Sequence, residues 1–254
     1  MQKTVVQLNL WCKTNKLLLA HDKCKIMHFG KSNSNQNYLI ENHTLETTTQ
    51  FKDLGIIFTP QLDFKIHIET QIKKAYKFTY LLFHILKTKN HEIYKLAYFT
   101  YVRSLLEFAP EIWNPTSQNL KQKIERVQKY FTRRIYIRCK FPKTSYPKRL
   151  KFLNIDSLED RRKMTDLVMT HKILHNNTTL SFDQTFNVVK SKRLWPQLIS
   201  AFRTSKTDKN MFNRAVPSWN KLCNKKPSLL QIKDPKLFRS QLQKNFNLIF
   251  KSDE

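Results

Sequence analysis

Glycine is nearly missing from this chain: Gly30 and Gly55 are the two among 254 residues, where average usage of roughly 7% would place about 18. The shortage excludes the glycine-rich phosphate cradles. No dinucleotide fingerprint, Walker loop or nucleophile elbow can be written with these two glycines 25 residues apart. Acids are scarce as well, 19 Asp and Glu against 46 Lys and Arg, a formal net charge of +27. An acidic disordered chain is therefore excluded. The four cysteines, Cys12, Cys24, Cys139 and Cys223, form no Cys-x-x-Cys pair, so reduced thiols in an intracellular protein are expected rather than a disulfide scaffold or a zinc knuckle. There is no run of 18 apolar residues, and no membrane span is expected. The first 21 residues lack acids, but they carry Lys rather than Arg, and Lys13 and Lys16 interrupt any secretory stretch. No targeting segment is expected, and the sequons at Asn42, Asn176 and Asn177 then carry no glycan.

What is present is apolar material for a core and a large basic excess. Hydrophobic residues make up 40% of the chain and aromatic residues 12%, enough for one large core or two modest ones. The charge is unevenly placed. Residues 1–120 hold 15 basic and 9 acidic groups, whereas residues 121–254 hold 31 and 10. Within Lys121 to Lys151 twelve basic residues stand against one acid, Glu125. An excess of this size repels itself unless something anionic is near, nucleic acid or an anionic membrane surface. The basic helix in this span lacks the wide Trp, Phe or Leu face that membrane binding needs, so nucleic acid, RNA or DNA, is the expected partner and no membrane is.

Periodicity gives the architecture. Apolar residues three and four apart from Val5 to Leu19 predict an amphipathic helix. Alternation from Cys24 to Phe29, closed by Gly30, predicts a strand, with further strands at Tyr38 to Glu41 and Phe51 to Thr59. Helical spacing then runs from Phe64 to Ile85, from Glu92 to Phe108 and from Leu120 to Ile137. The last has an apolar stripe of Leu120, Ile124, Val127, Tyr130, Phe131 and Ile135. Pro142 and Pro147 mark a loop, and Ser157-x-x-Asp160 opens a helix that runs through Ile173. A long polar loop follows, with a Lys190 to Arg193 basic cluster, then a short packed segment around Trp219 and a final helix over Pro235 to Phe250. The expected class is α+β and mostly α. A small N-terminal antiparallel sheet with one helix (1–62) precedes a helical domain (63–175), a basic polar loop (176–210) and a C-terminal tail with a terminal helix (211–254).

Few constellations offer catalysis. The acid pairs, Asp156 with Glu159 or Asp160 and Asp53 with Asp63, fall where helix caps and turns account for them. His171 and His175, four apart on a helix, offer two metal ligands, but no third is placed. Cys24 and His28 read as core, and no metal site is expected. The basic helix is the stronger feature, because a helix made basic only for solubility mixes its signs. Its candidate phosphate-binding residues are Lys121, Arg126, Lys129, Arg133, Arg134 and Arg138, with Lys140 just beyond. Tyr130, Tyr136 and Phe141 are interleaved with them as stacking candidates or core.

Several ordered runs resemble the end of the palm and the thumb of reverse transcriptases from non-LTR, LINE-like (jockey-type) retrotransposons. Trp11-x3-Asn15-Lys16-Leu17 and Lys23-Cys24-Lys25-x-Met27-x-Phe29-Gly30 resemble the last palm helix and strand. Phe51-Lys52-Asp53-Leu54-Gly55-Ile56 resembles the primer-grip turn, with Phe64-x2-His67-Ile68 after it. Tyr101 to Ala109, Trp113-Asn114-Pro115, Ile124 to Gln128 and Phe131-Thr132-Arg133 are similar to the helical thumb. Arg149-Leu150 and Ser157-Leu158-Glu159-x-Arg161-Arg162 continue it, and Phe212-Asn213-Arg214-x4-Trp219-Asn220-x-Leu222 resembles the tail. The resemblance implies template and primer contacts at Lys52 and Gly55, and an accessory general acid at Lys23 or Lys25. It also implies that the polymerase carboxylates lie upstream of Met1, since no Asp-Asp dipeptide occurs in the chain. Two-metal chemistry needs such acids, so Mg2+ is expected for an intact polymerase and no cofactor for this fragment. The expected function is a truncated reverse transcriptase-derived protein that binds nucleic acid without synthesising DNA. The alternatives are a protein-binding adaptor, or part of an active RNA-directed DNA polymerase if the frame extends upstream.

Overall fold

The computed structural model describes residues 1–30, 32–181, 186–189, 198–201 and 210–251. The class is α+β and mostly α, and the chain divides into two units, Met1–Glu69 and Thr70–Glu254.

The first unit opens with α1 (Gln2–Thr14). It ends before the Leu18 and Leu19 expected on it, because Lys16 turns into the left-handed region (φ 57) and the amides of Asn15 and Lys16 bond back to Trp11 and Lys13. The Gln2 side chain donates to the Leu39 carbonyl (2.7 Å) and accepts from its amide (3.0 Å), fixing α1 against β2 (Leu39–Ile40). Lys13 and Asn9 both reach the Glu41 carboxylate, and those bonds hold its pKa below the usual range.

The expected single antiparallel sheet is instead a set of two-stranded pairs. β1 (Lys25–Ile26) lies parallel to β4 (Glu46–Thr47), with Lys25 opposite Glu46, while β2 pairs antiparallel with β3 (His43–Thr44). β5 (Phe51–Asp53) and β6 (Ile56–Phe58) make a hairpin whose register puts Asp53 opposite Ile56. Its two-residue turn, Leu54 at φ 44 and Gly55 at φ 88, has both residues left-handed, as a tight twisted hairpin demands. Ile56 and Ile57 are buried, and the Ile57 amide donates to His67 Nδ1 (3.3 Å), which ties the hairpin to the start of α2 (Lys65–Ile85).

In the second unit the expected helix over Glu92 to Phe108 is a composite. α3 (His91–Ala97) runs into a π-helical stretch, Tyr98–Arg103, and then α4 (Ser104–Leu106). Ala109, left-handed at φ 46, turns the chain into α5 (Pro110–Trp113). α6 (Gln118–Arg138) buries Ile124, Val127, Phe131 and Ile135, with Phe131 ringed by Phe83 at 5.0 Å and Tyr98 at 4.8 Å. Tyr130 departs from the expected stripe and is 41% exposed; Gln128, Thr132 and Tyr136 take up the buried face instead. Pro147 does not mark a loop but lies in the first turn of α7 (Tyr146–Leu153), where its missing N–H would be unpaired anyway.

α8 (Leu158–Leu174) starts at Ser157, whose hydroxyl accepts from the Asp160 amide (3.1 Å), the cap its sequence announces. Inside the expected loop 176–210, β7 (Phe186–Val189) pairs antiparallel with β8 (Leu198–Ala201); the Lys190 to Arg193 cluster lies outside the described residues. The segment around Trp219 is a full helix, α9 (Met211–Lys225), and α10 spans Pro235–Phe250. A second apolar cluster joins α8, α9 and α10 through Leu167, Ile173, Trp219, Leu222, Phe238 and Leu242.

Buried and half-buried polar groups tie α4 and its flanks to α6, α7, α8 and α9. Tyr98 donates to Gln128 (2.6 Å); Gln128 donates to Tyr146 (2.9 Å) and to the Asp156 carbonyl (3.0 Å); Tyr146 in turn donates to Glu125. Glu125 also accepts from the Leu158 amide (3.1 Å), so one helix caps the next. Arg161 grips Glu107, and Arg162 donates to Asn114 (3.1 Å), which donates to Asp166 (2.9 Å). Arg214 closes the chain by a two-point bond to Asp166 (3.2 and 3.1 Å) and a third to the Glu111 carbonyl (2.9 Å). Burial lifts the Asp166 carboxyl above its usual range, although Arg214 pulls it down. Removing one partner of such a pair leaves a buried charge alone. Arg214→Ala is expected to cost about 3–5 kcal/mol in denaturant unfolding, and adding Asp166→Asn should recover part of it. A loss under 1 kcal/mol would show that the pair carries little.

Candidate functional site

α6 has two unlike faces. Its buried side faces the aromatic core, and the opposite side presents Arg126, Lys129 and Arg133, about one turn apart and exposed, with Arg134 beside them and Lys140 just past the end. Among the described residues no carboxylate ion-pairs with any of these five. Two of them rest on aromatic rings instead: Lys129 lies over Tyr146 at 5.2 Å and Arg134 over Phe83 at 5.3 Å. Such seats hold a long side chain without neutralising it. Lys121 and Arg138 belong to the edges of the helix. Lys121 pairs with Glu159 (2.9 Å) and Arg138 donates to the Phe83 carbonyl (2.7 Å), so both are engaged in holding the unit together.

The remaining sequence candidates lie in the first unit. Lys23 ends a single 3₁₀ turn, His21–Lys23, and is exposed. Lys25 is ion-paired with Glu46 across β1 and β4. Lys52 is exposed on β5, two residues before the Leu54–Gly55 turn.

The acid pairs weighed for catalysis around the start of α8 are each matched by a cation or an amide. Asp156 accepts from Gln243 (3.3 Å), Glu159 holds Lys121, and Asp160 holds Lys251 (2.7 Å). A cleft of about 260 Å³ beside α8 contains Lys121, Glu159, Asp166 and Arg214, but these pair with one another, making it a salt-bridged seam. Among the described residues no group of three His, Cys, Asp or Glu side chains gathers to hold a metal, and no described helix is long and apolar enough to cross a membrane.

Two basic residues near this face went unremarked as binding candidates in the sequence: Lys143, exposed, and Arg149, half-buried. The basic count from Lys121 to Lys151 contained both, but helical periodicity ends at Ile137 and gave no reason to fold them back onto α6.

Comparisons with known proteins add little to this geometry. Over 122 residues, 48% of the chain, it is 34% identical to a Caenorhabditis elegans protein that is itself uncharacterized, and it spans 62% of that relative's length. No family model matches the chain, and no solved structure matches it.

The histidine pair has a structural account. His171 and His175 stand 4.4 Å apart; His171 stacks on Phe238 (4.0 Å) and its Nε2 bonds the Ile232 carbonyl at 2.6 Å, which requires the proton on that nitrogen. Burial lowers its pKa to about 4, with His175 adding to the effect. The folded state thus resists a proton that the unfolded chain accepts below its ordinary 6.5. The sign follows: this contribution is intact above the unfolded pKa and is lost progressively as pH falls from 6.5 toward about 4. Thermal unfolding across that window should give a falling Tm whose slope is shallower in His171→Asn; equal slopes would refute the assignment.

Proposed function

We propose that the chain binds nucleic acid through the exposed face of α6 and that it represents the palm end and thumb of a non-LTR retrotransposon reverse transcriptase. The observation that carries the binding reading is the unneutralised strip of Arg126, Lys129, Arg133, Arg134 and Lys140. Five cations on one surface, without a carboxylate partner among the described residues, repel one another, and phosphates spaced along a strand relieve that repulsion. The reverse transcriptase reading is supported by the order of the motifs from Trp11 to Leu222. Any polymerase carboxylates would have to come from outside residues 1–254, so the chain alone is expected to bind a primer–template without extending it.

A second reading, a protein-binding adaptor, is favoured by exposed apolar residues one turn apart on α2, Phe78, Leu81 and Ile85, near Leu96 and Tyr101 in sequence and exposure. It predicts a protein partner whose binding survives nuclease treatment.

Phosphate contacts release counterions. If about six phosphates are engaged, log affinity should fall with log salt with a slope of about −5, and a flat titration would sink the reading. Replacing Arg126, Arg133 and Arg134 together by Ala should weaken unrelated sequences about equally and flatten the slope by about 3, because phosphates carry no sequence information. In primer extension the 254-residue protein should incorporate no nucleotide; robust incorporation would overturn the truncated reading and leave the binding one standing.

A further inference from the structure

The C-terminal end of α6 and the chain that follows enclose a groove of about 540 Å³, lined among others by Arg133, Tyr136, Phe141, Lys143, Thr144 and Arg149. Three of its walls are cationic and none is acidic. Arg149 sets its character. The guanidinium is half-buried and is fixed from three sides, donating to the Thr144 carbonyl (2.8 Å), the Thr132 hydroxyl (3.3 Å) and the Lys129 carbonyl (3.4 Å). Every one of those acceptors is neutral. Burial lowers the Arg149 pKa, and the Arg133 charge nearby lowers it further. Two guanidiniums, one of them half-buried, and an exposed ammonium therefore line one groove that no carboxylate lines.

The floor of the groove is aromatic. Tyr136 meets Phe141 edge-on at 5.3 Å, and both pack against Phe152, at 5.8 and 5.2 Å. Phe141 keeps part of its surface open, since it is only half-buried. A groove of this volume, apolar on one side and polar on the other, is in the range of small-ligand sites.

We propose that this groove holds the phosphorylated end of a nucleic-acid strand, with the terminal phosphate monoester between Arg133, Lys143 and Arg149 and the attached sugar and base against Tyr136 and Phe141. Charge separates an end from the middle of a strand. An internal phosphodiester carries one negative charge, whereas a terminal monoester carries about 1.5 to 2 at pH 7 and three acceptor oxygens. Three cations, of which Arg149 is anchored, match the second better than the first, and a planar guanidinium suits a multidentate phosphate. The proposal rests on the nucleic-acid reading and narrows it: α6 tracks the backbone, and the groove at its end reads where the strand stops.

The test uses the full chain and short single strands of one sequence, labelled at one end and carrying at the other either a phosphate or a hydroxyl. By fluorescence anisotropy at fixed salt, the phosphorylated strand should bind about tenfold more tightly. Lys143→Ala should weaken the phosphorylated strand more than the hydroxyl strand and so shrink that preference severalfold, whereas an equal loss for both strands overturns the end-binding role of the groove. AMP should compete for the phosphorylated strand better than inorganic phosphate does. Equal affinity for the two strands overturns the end-binding proposal and leaves the α6 reading intact, whereas no binding of either overturns both. Competition by inorganic phosphate as strong as that by AMP overturns the aromatic half, since the groove would then hold the phosphate alone.

Discussion

The second unit depends on how a chain with few acids neutralises the cations it buries. Arg162 is the extreme case. It is 1% exposed, its Nε donates to Asn114, and its two terminal nitrogens have no hydrogen-bond partner in the protein. Burial lowers its pKa, and the carboxylates of Glu125, Glu159, Glu107 and Asp166 oppose that shift. Those acids come from α6, α8 and the end of the α4 segment, so a single guanidinium gathers three parts of the chain around one field. A buried charge in this position gives little net stability, but removing it would strand the acids around it. The arrangement therefore specifies which helices meet more than it strengthens their meeting.

That use of acids explains the surface. The span from Lys121 to Lys172 contains five acidic residues, and each has an internal partner. Glu125 takes Tyr146 and the Leu158 amide, Asp156 takes Gln243, Glu159 takes Lys121, Asp160 takes Lys251 and Asp166 takes Arg214. With each of these acids already engaged elsewhere, the exposed side of α6 has no carboxylate among the described residues with which to compensate its cations. The strip of cations on α6 is thus left as a positive surface field, because the structural network engages the nearest negative charges.

Long, strongly periodic elements were legible in the sequence. The 3.6-residue spacing located α2, α6 and α10 almost to the residue, and Ser157 announced the start of α8. What escaped was set by tertiary context. β7 and β8 are short, largely apolar runs, Phe186–Val189 and Leu198–Ala201, set in a longer stretch whose overall polar composition reads as loop, and neither run alone names the other as its partner. The parallel pairing of β1 with β4 joins residues some twenty apart, which no local alternation encodes. Pro147 has the same chemistry in a loop and in a first helical turn. The basic strip was visible as a charge count and a helical face, but Lys121 and Arg138 could be separated from Arg126 and Arg133 only by finding Glu159 and the Phe83 carbonyl. The buried network was present in the sequence as Glu107, Asn114, Glu125, Arg161, Arg162 and Arg214, the first five within the runs that resemble the reverse transcriptase thumb and Arg214 within the run that resembles its tail. Their charges read as surface until the fold brings them together.

The aromatic residues around α6 link stability to binding in a way neither charge nor burial does alone. A flexible Lys or Arg loses rotamer freedom when it grips a phosphate, and that loss opposes affinity. Arg134 over Phe83 and Lys129 over Tyr146 have already given up part of it in the folded chain, and Arg149 has given up nearly all through its three neutral acceptors. Phe83 is itself buried, stacked on Tyr94 at 4.8 Å, and Tyr146 is held by Glu125 and Gln128. The rings that position the cations are therefore fixed by the same core and polar network that hold the helices. An anion meeting this surface finds side chains ordered before it arrives. The stiffness of the interior is in this sense part of the site, and a substitution deep in the network acts on binding through the orientation of groups it never touches.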